Sequence, residues 1–296
     1  MRVSSILVSL VLLCSACLSG CSGLFFVPDR KLALSPDQLG LDYSNIFIPT
    51  KDGAMLHGWL LKGRKPVRGT VLFLHGNAQN ISYHIASVSW LPSRHYNVLL
   101  YDYRGYGKST GSPTIENSIE DFSSVMALLD SKLDKRERNL TVFGQSLGGA
   151  FAIAAVADYK GRLPVRTLVI DSAFAGFRLI AHEKMSDLLL LRPFSGALKL
   201  LFTNQPDLLS SINRISPIPV LVLHGLNDKI VPPDHARQLY HAAREPKLLH
   251  LQPGAGHIQS LLYPEVRHLM LDFMERHKPD QRLLRRSVRD VSLLTK

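Results

Sequence analysis

Thr141-Val142-Phe143-Gly144-Gln145-Ser146-Leu147-Gly148-Gly149-Ala150 decides how this chain folds. An apolar strand runs into Gly-x-Ser-x-Gly, and a helix of small residues follows at once, Ala150-Phe151-Ala152-Ile153-Ala154-Ala155. That order predicts a tight strand-to-helix turn that pushes the Ser146 hydroxyl into the open. Gly144 and Gly148 flank the strained position, where a Cβ would collide with the neighbouring strand or helix. The helix start also sets backbone N–H groups beside the serine, suited to a developing negative charge.

Working outward, Thr70-Val71-Leu72-Phe73-Leu74 reads as a strand that delivers His75-Gly76-Asn77-Ala78 to its end. Downstream, Ile218 to Leu223 reads as a buried strand leading to His224-Gly225 and then Asp228. Lys247-Leu248-Leu249-His250-Leu251 reads as the last strand, followed by Pro253-Gly254-Ala255-Gly256-His257. Ser146, Asp228 and His257 thus fall just beyond the carboxyl ends of strands, the edge at which open parallel sheets bind ligands. A hydroxyl, an imidazole to take its proton and a carboxylate to orient the imidazole are the parts of covalent acyl transfer. Singly, these residues would read as a helix cap, a turn residue and one of twelve histidines. Their order at strand ends makes them a candidate site. Asp171, which closes the strand Thr167-Leu168-Val169-Ile170, lies at the same edge and is the alternative acid.

These motifs resemble the serine hydrolases of the α/β-hydrolase fold, in the group with His-Gly-Asn-Ala at the oxyanion strand. That group includes uncharacterised bacterial hydrolases and eukaryotic protein depalmitoylases. The likeness extends to Tyr101-Asp102-Tyr103-Arg104-Gly105-Tyr106-Gly107-Lys108-Ser109 and to His224 through Pro232, and spans roughly residues 44–276. It implies an α/β fold: a mainly parallel eight-stranded sheet, helices on both faces and a short helical lid. It also implies a nucleophilic Ser146, His257 as base, Asp228 as its orienting acid, and the backbone N–H groups of Asn77 and Leu147 as the oxyanion hole. No cofactor is implied. The expected reaction is hydrolysis of a carboxylic ester or thioester. The alternatives are a serine aminopeptidase or amidase on the same fold, and an envelope-tethered binding protein without turnover.

Other constellations fail. Gly105-Tyr106-Gly107-Lys108-Ser109 ends like a phosphate loop, but Asp102 stands where its first glycine belongs. His182-Glu183 opens like a zinc motif, but Ser186 occupies the second histidine position. No metal-ligand spacing emerges from the scattered histidines. His75 and His224 read as hydrogen-bonded structural residues, and Arg104 as a loop brace.

The amino terminus sets the expected compartment. Arg2, an apolar run from Val3 to Leu13 and small residues before Cys21 form a secretory signal. The run is too short for the ~20 residues of a spanning helix. Leu18-Ser19-Gly20-Cys21 resembles the bacterial lipobox, which makes Cys21 the lipidated first residue of the mature protein; Cys17 is the runner-up. Ser22 after Cys21 favours, by that resemblance, the outer membrane and an envelope location on the periplasmic face. All three cysteines, Cys14, Cys17 and Cys21, lie in this segment, so no intramolecular disulfide staples the body.

Organisation follows as a signal at 1–20, a lipidated tether at 21–43, the hydrolase domain at 44–276 and a basic tail at 277–296. The opening pair Asn45–Pro49 and Met55–Leu61 precedes strands near 70–74, 97–101, 139–143, 166–170, 218–223 and 247–251. Strand–helix alternation of this kind implies a parallel sheet covered on both faces. Residues 172–216 interrupt it with apolar helical runs, which read equally as a lid over the serine or as an ordinary packed helix. Net charge is +11. Its densest cluster is Arg276, Lys278, Arg282, Arg285, Arg286, Arg289 and Lys296, a solvated tail that anionic lipid surfaces would attract. Without a recognition module or interleaved aromatics, nucleic acid is not an expected partner.

Overall fold

Leu72 and Leu74 pack into one hydrophobic cluster, Val71 and Phe73 into another, and all four are buried. Leu168 and Ile170 divide in the same way from Val169, and Val220 and Val222 from Leu221 and Leu223. Side chains alternate across a strand, so strands apolar at every position need cover on both faces. The computed structural model describes residues 25–159, 161–187 and 205–277, and there the cover consists of two helix layers.

The strands are β1 (Val27–Pro28), β2 (Tyr43–Pro49), β3 (Met55–Leu61), β4 (Gly69–Leu74), β5 (Ala78–Gln79), β6 (Tyr96–Tyr101), β7 (Leu140–Gln145), β8 (Val165–Asp171), β9 (Val220–Gly225) and β10 (Lys247–Gln252). The α-helices are α1 (Ile81–His84), α2 (Ile115–Lys132), α3 (Leu147–Asp158), α4 (Phe177–Asp187), α5 (Leu208–Arg214), α6 (Asp234–Ala242) and α7 (Pro264–Arg276). Eight strands form one sheet in the order β10-β9-β8-β7-β4-β6-β3-β2. The β2–β3 and β3–β6 pairs are antiparallel and the other neighbours parallel. This is the α/β-hydrolase architecture that the motifs imply.

Phe122, Val125 and Met126 of α2, Phe151 of α3, Ile212 of α5 and Leu239 of α6 pack on one face. Ile81 of α1 and Val266, Met270 and Phe273 of α7 pack on the other. Strand order turns at β4, which lies between β6 and β7. At such a switch point, successive loops leave in opposite directions and open a crevice at the carboxyl ends of the strands. His75-Gly76-Asn77 and Ser146 both sit at that crevice.

One reading changes. Residues 25–39 are not a free tether. Phe26 is buried, stacked on Phe151 at 6.0 Å and edge-on to Tyr106 at 6.4 Å, while Phe25 meets Phe177 at 5.2 Å. β1 pairs with β5 in a second, two-stranded sheet. Phe25 and Phe26 have docked on aromatic side chains of the body, and that burial favours a folded strap over a solvated one. The signal with Cys21, the run Leu188 to Phe202 and the tail from Lys278 lie outside the described residues. Among the described residues, no helix is long and apolar enough to cross a membrane.

Candidate active site

β7 ends at Gln145, and Ser146 turns the chain with φ 53° and ψ −118°. Few L-residues adopt a positive φ, and the surroundings fix it here. A Cβ on Gly144 would strike the Gly148 carbonyl, and one on Gly148 would strike the Leu74 carbonyl. The two glycines therefore let strand, helix and the loop after β4 approach within van der Waals contact. Leu147 is the first residue of α3, so its N–H has no partner within the helix.

Ser146 Oγ lies 3.0 Å from His257 Nε2, and His257 Nδ1 lies 2.8 Å from Asp228 Oδ2. With the Nδ1 proton donated to the carboxylate, Nε2 is left as the acceptor for the serine hydroxyl. Asp228 Oδ1 accepts the N–H groups of Ile230 and Val231 at 2.8 and 2.9 Å. Its Oδ2 also lies 3.2 Å from His224 Nε2. Burial pushes this carboxyl up, but the donors from His224, His257 and Val231 outweigh burial and hold it below the usual carboxylate range. The group is thus poised as an anion beside the imidazole.

Asn77 lines the same cavity as Ser146 and Leu147, and is fixed from two sides. The Tyr106 hydroxyl donates to the Asn77 carbonyl at 2.6 Å and accepts the Val27 N–H at 3.0 Å. Asn77 Oδ1 accepts that N–H too, at 2.9 Å. Asn80 Nδ2 donates to the carbonyls of Asp29 and Lys31, so the strap clips along the whole loop after β4. His84 completes the brace, its Nε2 3.0 Å from the Ala78 carbonyl. Burial depresses its pKa, so the ring is neutral near pH 7 and donates that proton. Apart from the apolar run Phe25-Phe26-Val27, nothing in the sequence pattern pointed to the strap.

The serine opens onto a cavity of about 510 Å³. Its walls include Phe25, Phe174, Ile180, Met185, Ile230 and Ile258. Ile180 and Met185 come from α4, the described part of the insertion read as a lid. Lys184 is the cationic lysine of the lining, and no Asp or Glu lines the cavity among the described residues.

A family model described as serine aminopeptidase, S33, matches residues 65–190. The uncharacterised protein YfhR of Escherichia coli is 36% identical over 242 residues, 80% of this chain and 80% of that one. The α/β-hydrolase domain-containing protein WAV2 of Arabidopsis thaliana is 32% identical over 264 residues, 86% of this chain and 85% of its own. The chain belongs to the α/β-hydrolase family. An esterase of Pyrococcus furiosus superposes on this hydrolase with a TM-score of 0.71, covering 86% of this chain and 99% of that one. At 22% identity, the fold is what the two share.

Other candidates in the hydrolase take supporting places. Asp171 is buried, and its hydrogen bonds go elsewhere: Gln145 Nε2 donates to Oδ2 at 3.0 Å and Ser260 Oγ to Oδ1 at 2.7 Å. Ser172 Oγ accepts the Ile258 N–H at 3.0 Å, so this network holds the loop that carries His257. His75 is buried, its Nδ1 2.8 Å from the Gly76 carbonyl, and burial keeps it neutral. His224 Nε2 donates to the Val231 carbonyl at 2.8 Å and reaches Asp228, a contact its motif did not announce. Arg104 braces its loop through paired contacts to Asp52 and Asp121 at 2.6–2.8 Å. His182 has no metal partner set, and Glu183 pairs instead with His235 at 2.8 Å. Among the described residues, no three His, Cys, Asp or Glu side chains form a metal site.

Proposed function

We propose that this protein is a serine hydrolase of carboxylic esters or thioesters with an apolar acyl group, acting through an acyl-enzyme. The observation that carries the reading is the relay Asp228–His257–Ser146, at 2.8 and 3.0 Å, at the wall of an apolar cavity. Ser146 Oγ attacks the acyl carbon while His257 takes its proton. The oxyanion is met by the N–H groups of Leu147 and Asn77, one such donor typically being worth ~3 kcal/mol. His257 then returns the proton to the leaving alkoxide or thiolate, and water repeats the sequence on the acyl-enzyme. Asp228 holds the imidazole tautomer and stabilises its cation.

The lining favours ester over aminopeptidase chemistry. A free amino terminus is a cation and calls for a carboxylate near the scissile bond, whereas the described lining holds Lys184, neutral polar groups and apolar side chains and no Asp or Glu. We further propose that the mature protein begins at a lipid-modified Cys21 and stays on the periplasmic face of a bacterial envelope membrane, with the outer membrane favoured.

Fluorophosphonate labelling with a panel of p-nitrophenyl esters of graded acyl length, set against aminoacyl anilides, tests the activity. Labelling and ester turnover are expected, and both should vanish in Ser146→Ala with the melting temperature kept. Faster anilide than ester turnover would move the reading to the aminopeptidase class. Absence of labelling would leave a binding scaffold.

A further inference from the structure

The strap that braces the oxyanion loop is also the rim of the cavity. Phe25 lines it, and β1 runs beside Ala78 and Gln79, which are exposed at its mouth. Phe25 stands four residues after Cys21 in the sequence. Four extended residues reach at most about 14 Å. A domain of this size has a radius of gyration of roughly 18 Å. A lipid on Cys21 is therefore held on a leash shorter than the radius of the body it anchors. The leash is attached at the mouth of the cavity. Half the hydrocarbon thickness of a bilayer is about 15 Å, so an anchor seated in one leaflet presses this face, and not another, to the membrane.

The rim has the chemistry of an interfacial surface. Val27 and Ile230, two large apolar side chains, are 56% and 53% exposed at the mouth. Arg30 and Lys31 on the strap and Lys229 beside Ile230 are exposed cations, suited to anionic headgroups. Asp29 is the carboxylate among them, and its Oδ1 is turned to the Lys31 N–H.

We infer that the occupant of this cavity is the fatty acyl chain of a membrane glycerophospholipid, drawn from the same leaflet that holds the Cys21 lipid. The inference rests on the reading of the site as an acyl hydrolase anchored at Cys21. The acyl C–O bond of the lipid breaks as the Ser146 Oγ–acyl bond forms. His257 passes the serine proton to the glycerol oxygen, which leaves as a lysolipid hydroxyl. Water then divides the acyl-enzyme into a free fatty acid and the restored serine.

The test uses three full-length proteins: the lipidated wild type, Cys21→Ser, and a lipidated variant with about twelve Gly/Ser residues inserted between Gly23 and Leu24. All three should hydrolyse soluble p-nitrophenyl butyrate at the same rate. On phosphatidylglycerol–phosphatidylethanolamine vesicles, the wild type should release fatty acid at least tenfold faster than either variant. The long-leash protein is the decisive arm, because it keeps the anchor and loses only the orientation. Equal release by the long-leash or the Cys21→Ser protein would overturn the inference. So would cleavage of an S-palmitoyl peptide in the same vesicles without release from phospholipid, which would make an acylated protein the substrate. Absence of butyrate turnover in all three would overturn the acyl-hydrolase reading itself and the inference with it.

Discussion

Asp171 closes β8 and Asp228 follows β9, so two carboxylates stand at adjacent strand ends, both buried. Position along the sheet edge does not separate them, and neither does burial. Their donors do. Asp228 receives two histidines and two backbone N–H groups, and its carboxyl titrates below the ordinary range. Asp171 receives a Gln amide and serine hydroxyls, and burial, its largest influence, raises its pKa. The partners decide which carboxylate can serve as a fixed anion beside a base and which ties down a loop.

The largest expected effect comes from Asp228→Asn. It keeps the shape but can present an amide to His257 Nδ1, favouring the wrong tautomer. Ester kcat should fall by about 10³–10⁴, the scale of such a change in a serine protease triad. A fall of less than tenfold, or a larger loss in Asp171→Asn, would hand the acid to Asp171.

Ser172→Ala comes next. It removes the acceptor of the Ile258 N–H one residue beyond His257, and should cost about tenfold in kcat with KM little changed, because misplacing the base weakens only the reacting geometry. An unchanged kcat would show that the loop needs no such anchor.

The smallest effect is expected of Asp171→Asn, within about threefold in kcat/KM. Gln145 Oε1 has no partner among the described residues, and a flipped Gln145 can accept from the new amide. The comparison is then sharpened by melting temperature against pH. Burial makes folded Asp171 hold its proton more tightly than the unfolded chain does. Its contribution is present at low pH and is lost as pH rises from about 4 through the raised pKa. Wild type should lose ground to Asp171→Asn along that rise. The depressed pKa of Asp228 gives the reverse: stability present above about pH 4 and lost as pH falls from there through the depressed pKa. Wild type should lose ground to Asp228→Asn on acidification. Slopes of the same sign for both variants would break the comparison.

Much of this was legible because strand periodicity and tight-turn chemistry are local. The expected strands at 70–74 and 247–251 became Gly69–Leu74 and Lys247–Gln252, and the elbow glycines stand where close backbone approach requires them. What escaped was carried by pairings far apart in the chain. Ser260 finds Asp171 across 89 residues, Ile258 finds Ser172 across 86, and the Val27 N–H finds Asn77 across 50. A two-residue strand such as Val27–Pro28 has no period to read, and a serine that bonds a distant carboxylate looks like any turn serine.

The strap carries a further consequence, in the order of assembly. Synthesis delivers Phe25 and Phe26 early, yet the rings that receive them, Tyr106, Phe151 and Phe177, come much later in the chain. These early residues are therefore among the last to dock, after long loops have closed. Until then the cavity lacks a wall and the loop after β4 lacks its clip, so a half-made chain holds Ser146 without the surroundings it has in the finished fold.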